Sequence, residues 1–188
     1  RSQFSVDGPG VHVGLRVRDA GAEEMNMSIS HALCLLYQET GEPRYLALSQ
    51  FLVDQRGKGV MKGWDGLGPL YQQDHVPVRE AQGVAGHAVR QVYLESGVTD
   101  LYLEAGEPAM FAAASRLWRD MTERKSHVTG GVGSRFQGES FGDAYELPSD
   151  SCYCETCAAI GSFQWNWRML LASGDARYAA VMEQTLYN

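Results

Sequence analysis

No apolar run in the sequence approaches the roughly 20 residues that a bilayer-spanning helix needs, and no leader-peptide pattern is visible at its start. A membrane span is therefore not expected. An excess of positive charge is missing too. Sixteen Lys and Arg stand against 23 Asp and Glu, a formal net charge of −7. Phosphate backbones and anionic lipid surfaces select the opposite sign, so nucleic acid and membrane are set aside as partners. Cysteine is scarce: four residues in 188. Three of them fall between Cys152 and Cys157. A disulfide framework spreads its cysteines to close long loops, so this clustering fits thiolate or metal chemistry better. Alternating apolar–polar runs are nearly absent, His12 to Val17 being one short strand candidate.

What the sequence does contain is helix. With 44% hydrophobic and 21% charged residues it can bury a core. Apolar residues recur at three and four positions from Glu23 to Gln38, through Met25, Ile29, Ala32, Leu33, Leu36 and Tyr37. The same spacing predicts helices from Pro43 to Asp54, Val78 to Ser96 and Pro108 to Arg124. A fifth is expected from near Ser151–Glu155 to Ala172, and a sixth from Asp175. Residues 56–74 and 126–150 read as long loops. One punctuation repeats: Gly41-Glu42-Pro43, Gly106-Glu107-Pro108 and Gly174-Asp175-Ala176. Each stops one helix with Gly and opens the next with an acidic residue in its first turn, where the helix dipole favours it. Repeated helical hairpins with long loops at one end predict an all-α fold, part of an (α/α) barrel or toroid, with its sites in the rim loops. The sequence starts at Arg1 and stops at Tyr187-Asn188 inside a helical pattern, so it reads as a piece of one longer domain. It sets no oligomeric state.

Chemistry concentrates between Gly138 and Cys157. Cys152-x-Cys154-x-x-Cys157 with Glu155 offers zinc-type donors, although small buried residues at a helix start would read the same way. A ligand pair at Glu155 and Cys157 requires the helix entrance, because the two do not share a face of a regular helix. Glu139, in a Gly-flanked loop, could meet Glu155 across a cleft for acid/base work, or simply be solvated. His75 and His87 flank the start of the expected third helix, His87 lying on it, as ligand-contacting or interior histidines. Thr129-Gly130-Gly131-Val132-Gly133-Ser134 lacks the Gly-Lys-Ser/Thr ending of a phosphate loop. Trp64, Tyr71, Phe136 and Tyr145 are loop aromatics able to stack on sugar faces.

Six segments together resemble glycoside hydrolase family 127, the β-L-arabinofuranosidase-like family. They are Gln73-Asp74-His75-Val76-Pro77-Val78-Arg79-Glu80, Gly86-His87-Ala88-Val89-Arg90, Val128 to Ser134, Gly138-Glu139-Ser140-Phe141, Tyr145-Glu146-Leu147-Pro148 and Glu155-Thr156-Cys157-Ala158. The resemblance implies an (α/α)-barrel catalytic domain and a retaining, Zn2+-dependent glycosidase in which a cysteine thiolate attacks the anomeric carbon. It makes Glu139 the acid/base, Glu155 and Cys157 zinc ligands, and His87 a sugar contact, with His75, Asn26 and Tyr145 as further substrate-binding candidates. Asn26 stands where the family's arabinofuranosidases carry a histidine, which leaves the sugar open. The family also uses two adjacent cysteines; this sequence has no such pair. The nucleophile and the remaining ligands are then expected beyond Asn188, and this chain alone is expected to be inactive and to bind zinc weakly. The rival readings are a non-catalytic helical-repeat binding module with a structural cysteine cluster, and another (α/α)-barrel carbohydrate enzyme with no use for Glu155 and Cys157.

Overall fold

The computed structural model describes residues 27–59 and 67–188. The strand candidate at His12–Val17, together with Met25, Asn26 and Trp64, lies outside the described residues. Seven α-helices are described: α1 Ser28–Thr40, α2 Pro43–Asp54, the single turn α3 Gly68–Tyr71, α4 Ala88–Ala105, α5 Pro108–Arg124, α6 Thr156–Ser173 and α7 Ala176–Tyr187. Two 3-10 turns, Val78–Glu80 and Gln137–Glu139, interrupt the loops. The described residues contain isolated β-bridges but no strand. None of their helices is long and apolar enough to cross a membrane.

The repeated punctuation builds three hairpins, α1–α2, α4–α5 and α6–α7. Gly41, Gly106 and Gly174 adopt φ of 66°, 69° and 70° and close the preceding helix. A Cβ at any of the three would meet nothing within 4 Å, so the left-handed backbone alone demands glycine there. The acidic residue that follows sits at the N-cap, one step earlier than the first turn expected from sequence. Glu42 and Asp175 accept from the backbone N–H of Arg44 and Arg177. Asp175→Ala removes one such cap, and a loss of ~1 kcal/mol is expected in chemical unfolding.

The first helices of the three hairpins lie side by side and run parallel. Between α1 and α4, Ser30 meets Gly97 and Gln38 bonds to Glu104. Between α4 and α6, Val92 meets Gly161 and Asp100 pairs with Arg168. Contact positions rise together along each pair, which is the parallel arrangement. A Cβ at Gly97 would come within 2.8 Å of the Ser30 Cβ, so the helices approach closely at that point. The buried cluster His31–Asp100–Arg168 ties all three together, with Asp100 2.6 Å from His31 Nδ1 and 2.8 Å from Arg168 Nε. Helices α2, α5 and α7 back this row, and the core fills the space between them with Met110, Leu117, Trp118, Met121, Trp165, Met169 and Tyr178. This is the hairpin repeat of an (α/α) barrel, and it puts the N-termini of α1, α4 and α6 at one rim with the long loops.

Two expectations change. The stripe of α1 buries Ser30, Leu33 and Cys34, whereas Ile29 and Leu36 are exposed. The face that meets α4 closely is lined by small residues, which apolar spacing does not find. The expected helix Val78–Ser96 begins ten residues later, at Ala88, and continues to Ala105. Pro77 and the left-handed Gly86, whose missing Cβ would overlap the Leu70 carbonyl, keep the chain out of an α-helix up to His87, with only the 3-10 turn Val78–Glu80 between them.

Candidate active site

Backbone pairing assembles the site. Phe141 N–H donates to the Gly86 carbonyl at 2.9 Å, and Arg135 and Ser140 exchange two backbone hydrogen bonds. These contacts lay the loop that carries Glu139 against the segment that carries His87. Gly138 and Glu139 both take left-handed backbone, φ 68° and 49°; a non-glycine residue held there marks a position fixed by its surroundings. Arg135 closes the loop's far side through Glu146 and Asp143, and holds the Glu146 carboxyl well below the usual range.

Glu139 sits between two donors. Tyr153 O–H donates to its Oε1 at 2.7 Å, and His87 Nε2 lies 3.0 Å from its Oε2. His87 is the N-cap of α4, where its Nδ1 accepts from Val89 N–H at 3.2 Å. The ring proton therefore belongs on Nε2, which donates to Glu139. Burial, and then the Arg90 guanidinium, push His87 below its ordinary value against the pull of Glu139, so a neutral imidazole is favoured. Tyr71 packs edge-on beneath the His87 ring at 5.5 Å, with Arg90 over the Tyr71 face at 4.7 Å. Hydrogen bonding to Glu139 raises the Tyr153 hydroxyl to about 12.

Glu155 is the N-cap of α6, and Cys157 lies in that helix's first turn, the irregular entrance that a Glu155–Cys157 pair requires. Donor atoms of His87, Glu139 and Glu155 lie within 4.8 Å of one another. Burial and then the Glu139 charge raise the Glu155 carboxyl. Cys157 is exposed and joins Met27, Ser28, His87, Val89, Arg90 and Tyr93 around a cleft of about 480 Å³, a size suited to a small ligand.

Against this geometry, the sequence matches the model of the beta-L-arabinofuranosidase GH127 catalytic domain over residues 16–188. The chain belongs to the GH127 family. A curated relative, the non-reducing end beta-L-arabinofuranosidase of Bifidobacterium longum subsp. longum, is 40% identical over 175 residues, covering 85% of this chain and 27% of its own length. Among solved structures, a GH127 beta-L-arabinofuranosidase from Geobacillus stearothermophilus T6 superimposes with a TM-score of 0.82 at 40% identity, over 85% of this chain and 27% of that one. Another GH127 beta-arabinofuranosidase gives 0.80 at 42% identity, over 85% and 24%. The GH127 chain described here thus spans about a quarter of the length of these relatives.

Of the residues singled out from sequence, His87, Glu139 and Glu155 come together and Cys157 joins them at the cleft. His75 lines a separate small cavity with Gln73, Gln91 and Glu95. Tyr145 is 70% exposed, and its N–H donates to the Arg124 carbonyl at the end of α5, away from the cleft lining. Asn26 lies outside the described residues; Met27 and Ser28, which follow it, line the cleft. Sequence reasoning missed Tyr153 and Arg90. Tyr153 stands inside the cysteine cluster with no periodic signal, and only its position two residues before Glu155 could have drawn attention to it.

Proposed function

We propose that this chain is the part of a GH127 glycosidase that supplies the proton donor and half of a metal shell, in an enzyme acting on terminal β-L-arabinofuranosyl units. The observation that carries this reading is the clamp on Glu139: two hydrogen-bond donors at 2.7 and 3.0 Å, beside Glu155 and a sugar-sized cleft. The relatives' names supply the sugar.

Glu139 gives a proton to the leaving glycosidic oxygen and later takes one from water. The Tyr153 hydroxyl and His87 Nε2–H stabilise the carboxylate that forms as the proton leaves. In this reading a cysteine nucleophile, contributed by sequence outside this chain, gives net retention through a covalent glycosyl-enzyme. Glu155 and Cys157 offer oxygen and sulfur donors of the kind zinc takes. Their chemistry fits the metal, and two ligands are half of a four-coordinate shell. When bound, zinc would keep a coordinating thiol deprotonated near neutral pH.

The test uses the complete enzyme on an aryl β-L-arabinofuranoside, following the first-formed sugar by NMR. Release of β-arabinose as the initial product supports the reading; α-arabinose, or no turnover, overturns it. This chain alone is expected to give no turnover in the same assay. Within the complete enzyme, Tyr153→Phe removes one donor from Glu139, and kcat is expected to fall roughly tenfold with KM little changed.

A further inference from the structure

Beyond the cleft, a second set of metal-type donors converges. One ring nitrogen of His127 and the sulfurs of Cys152 and Cys154 lie within 4.8 Å of one another. The three come from two segments that the backbone holds together. Cys154 N–H donates to the Gly133 carbonyl at 2.9 Å, and Tyr153 N–H donates to the Ser134 carbonyl at 3.1 Å. His127 is fixed by a tight turn: its N–H donates to the Gly131 carbonyl and its own carbonyl accepts from Gly130 N–H. A Cβ at Gly131 would stand 3.2 Å from the Cys154 Cβ, so the turn closes directly over this thiol. Two further observations point to a ligand. His127 Nε2 is buried with no hydrogen-bond partner, an arrangement that costs free energy when nothing occupies the lone pair or takes the proton. Cys154 is held at φ 39°, in left-handed backbone that a residue with a Cβ rarely adopts. All four cysteines are free thiols.

We propose that His127, Cys152 and Cys154 form a binding site for a soft or borderline metal ion, Zn2+ being the physiological candidate, separate from the one that Glu155 and Cys157 would share. Two thiolates and an imidazole are a donor set that zinc takes, with one position left for water. On binding, each coordinating thiol transfers its proton to solvent and the sulfur lone pair forms the metal bond. The ion would fasten the 127–134 loop to the entrance of α6, one residue before Glu155, and so stiffen the wall against which Glu139 stands. The site lies wholly within this chain, so it gives the 188-residue chain a metal affinity that Glu155 and Cys157 alone do not. It is also independent of the glycosidase reading.

The experiment titrates the reduced 188-residue chain with Zn2+ against a chromophoric chelator, then with Co2+ as a spectroscopic probe. The expected result is one ion per chain, sulfur-to-cobalt charge-transfer absorption, and protection of Cys152 and Cys154 from alkylation while Cys157 stays reactive. His127→Gln and Cys152→Ser should each weaken binding by at least the roughly 10–100-fold that loss of an outer-shell partner costs, with helical circular dichroism retained. A Cys157→Ser background, which removes the sulfur of the other site, should still bind one ion. If a variant unfolds, alkylation mapping of the unaltered chain decides. Absence of binding, protection that falls on Cys157, or loss of the ion in the Cys157→Ser background overturns the proposal.

Discussion

Replacing Glu139 by Gln in the complete enzyme is expected to lower turnover by about 10²–10⁴-fold, the range that one positioned general acid contributes. The substitution keeps the size of the side chain but removes the transferable proton. It also leaves one of the donors, Tyr153 O–H or His87 Nε2–H, facing an amide N–H, so one of two short contacts is lost. Glu139 is 42% exposed, so the change falls on chemistry more than on stability. Leaving-group dependence is the deciding measurement. A leaving group of low basicity departs without a proton, so its rate in the variant should fall far less than that of an alkyl or sugar aglycone. An equal loss for both would remove Glu139 from the role of proton donor.

The second large effect concerns Glu95, which lies in α4 well inside the hairpin row and is 1% exposed. Burial is the main reason its carboxyl is raised from an ordinary value of 4.5 to about 8; Gln91, donating to Oε1 at 2.9 Å, and Arg116 oppose the shift only in part. Its Oε2 has no partner in the protein. It borders a cavity of about 10 Å³, room for one water, together with Gln73, whose Oε1 is equally unpartnered. Below pH 4.5 the folded and unfolded chains both hold the proton. Between pH 4.5 and 8 the unfolded chain has lost it while the folded chain keeps it. The folded state then binds more protons, and stability falls as pH rises. The slope is about 1.4 kcal/mol per pH unit, for a cumulative loss of roughly 4 kcal/mol by pH 8. Glu95→Gln keeps an acceptor for Gln91 and removes the titration. Urea unfolding of both proteins at pH 5 and pH 8 should therefore show the variant gaining on the parent by about 3 kcal/mol between the two. Parallel curves across that range would mean that Glu95 is not a buried acid.

The fold was largely legible because its punctuation is local chemistry. Gly41, Gly106 and Gly174 stop helices by a backbone conformation that only glycine takes freely, and the acidic residue that follows opens the next helix whatever lies around it. Helices α2 and α5 begin and end where spacing and proline place them. The errors fell where a distant segment decides. The expected third helix stops at Ser96, yet α4 runs on through Gly97, an interior position pressed against Ser30. His87 reads as a residue on a helix, yet it caps one, because the left-handed Gly86, whose carbonyl accepts from Phe141 N–H, breaks the helical path just before it.

The candidate site divides along the same line. The sequence alone determined which residue types are present: a Gly-flanked Glu139, a Glu155-x-Cys157 pair, a cysteine cluster, and a motif set that identifies GH127. Those are properties of short segments and survive without coordinates. Only the tertiary structure decided that Tyr153 and His87 grip Glu139 from two sides while His75 and Tyr145 stand elsewhere. It alone separated Cys152 and Cys154, which turn toward His127, from Cys157, which faces the cleft. The reason is geometric. The left-handed backbone at Cys154 and the irregular entrance of α6 turn neighbouring side chains in different directions, and such a turn is fixed by hydrogen bonds to Gly133 and Ser134 rather than by the spacing of the cysteines themselves.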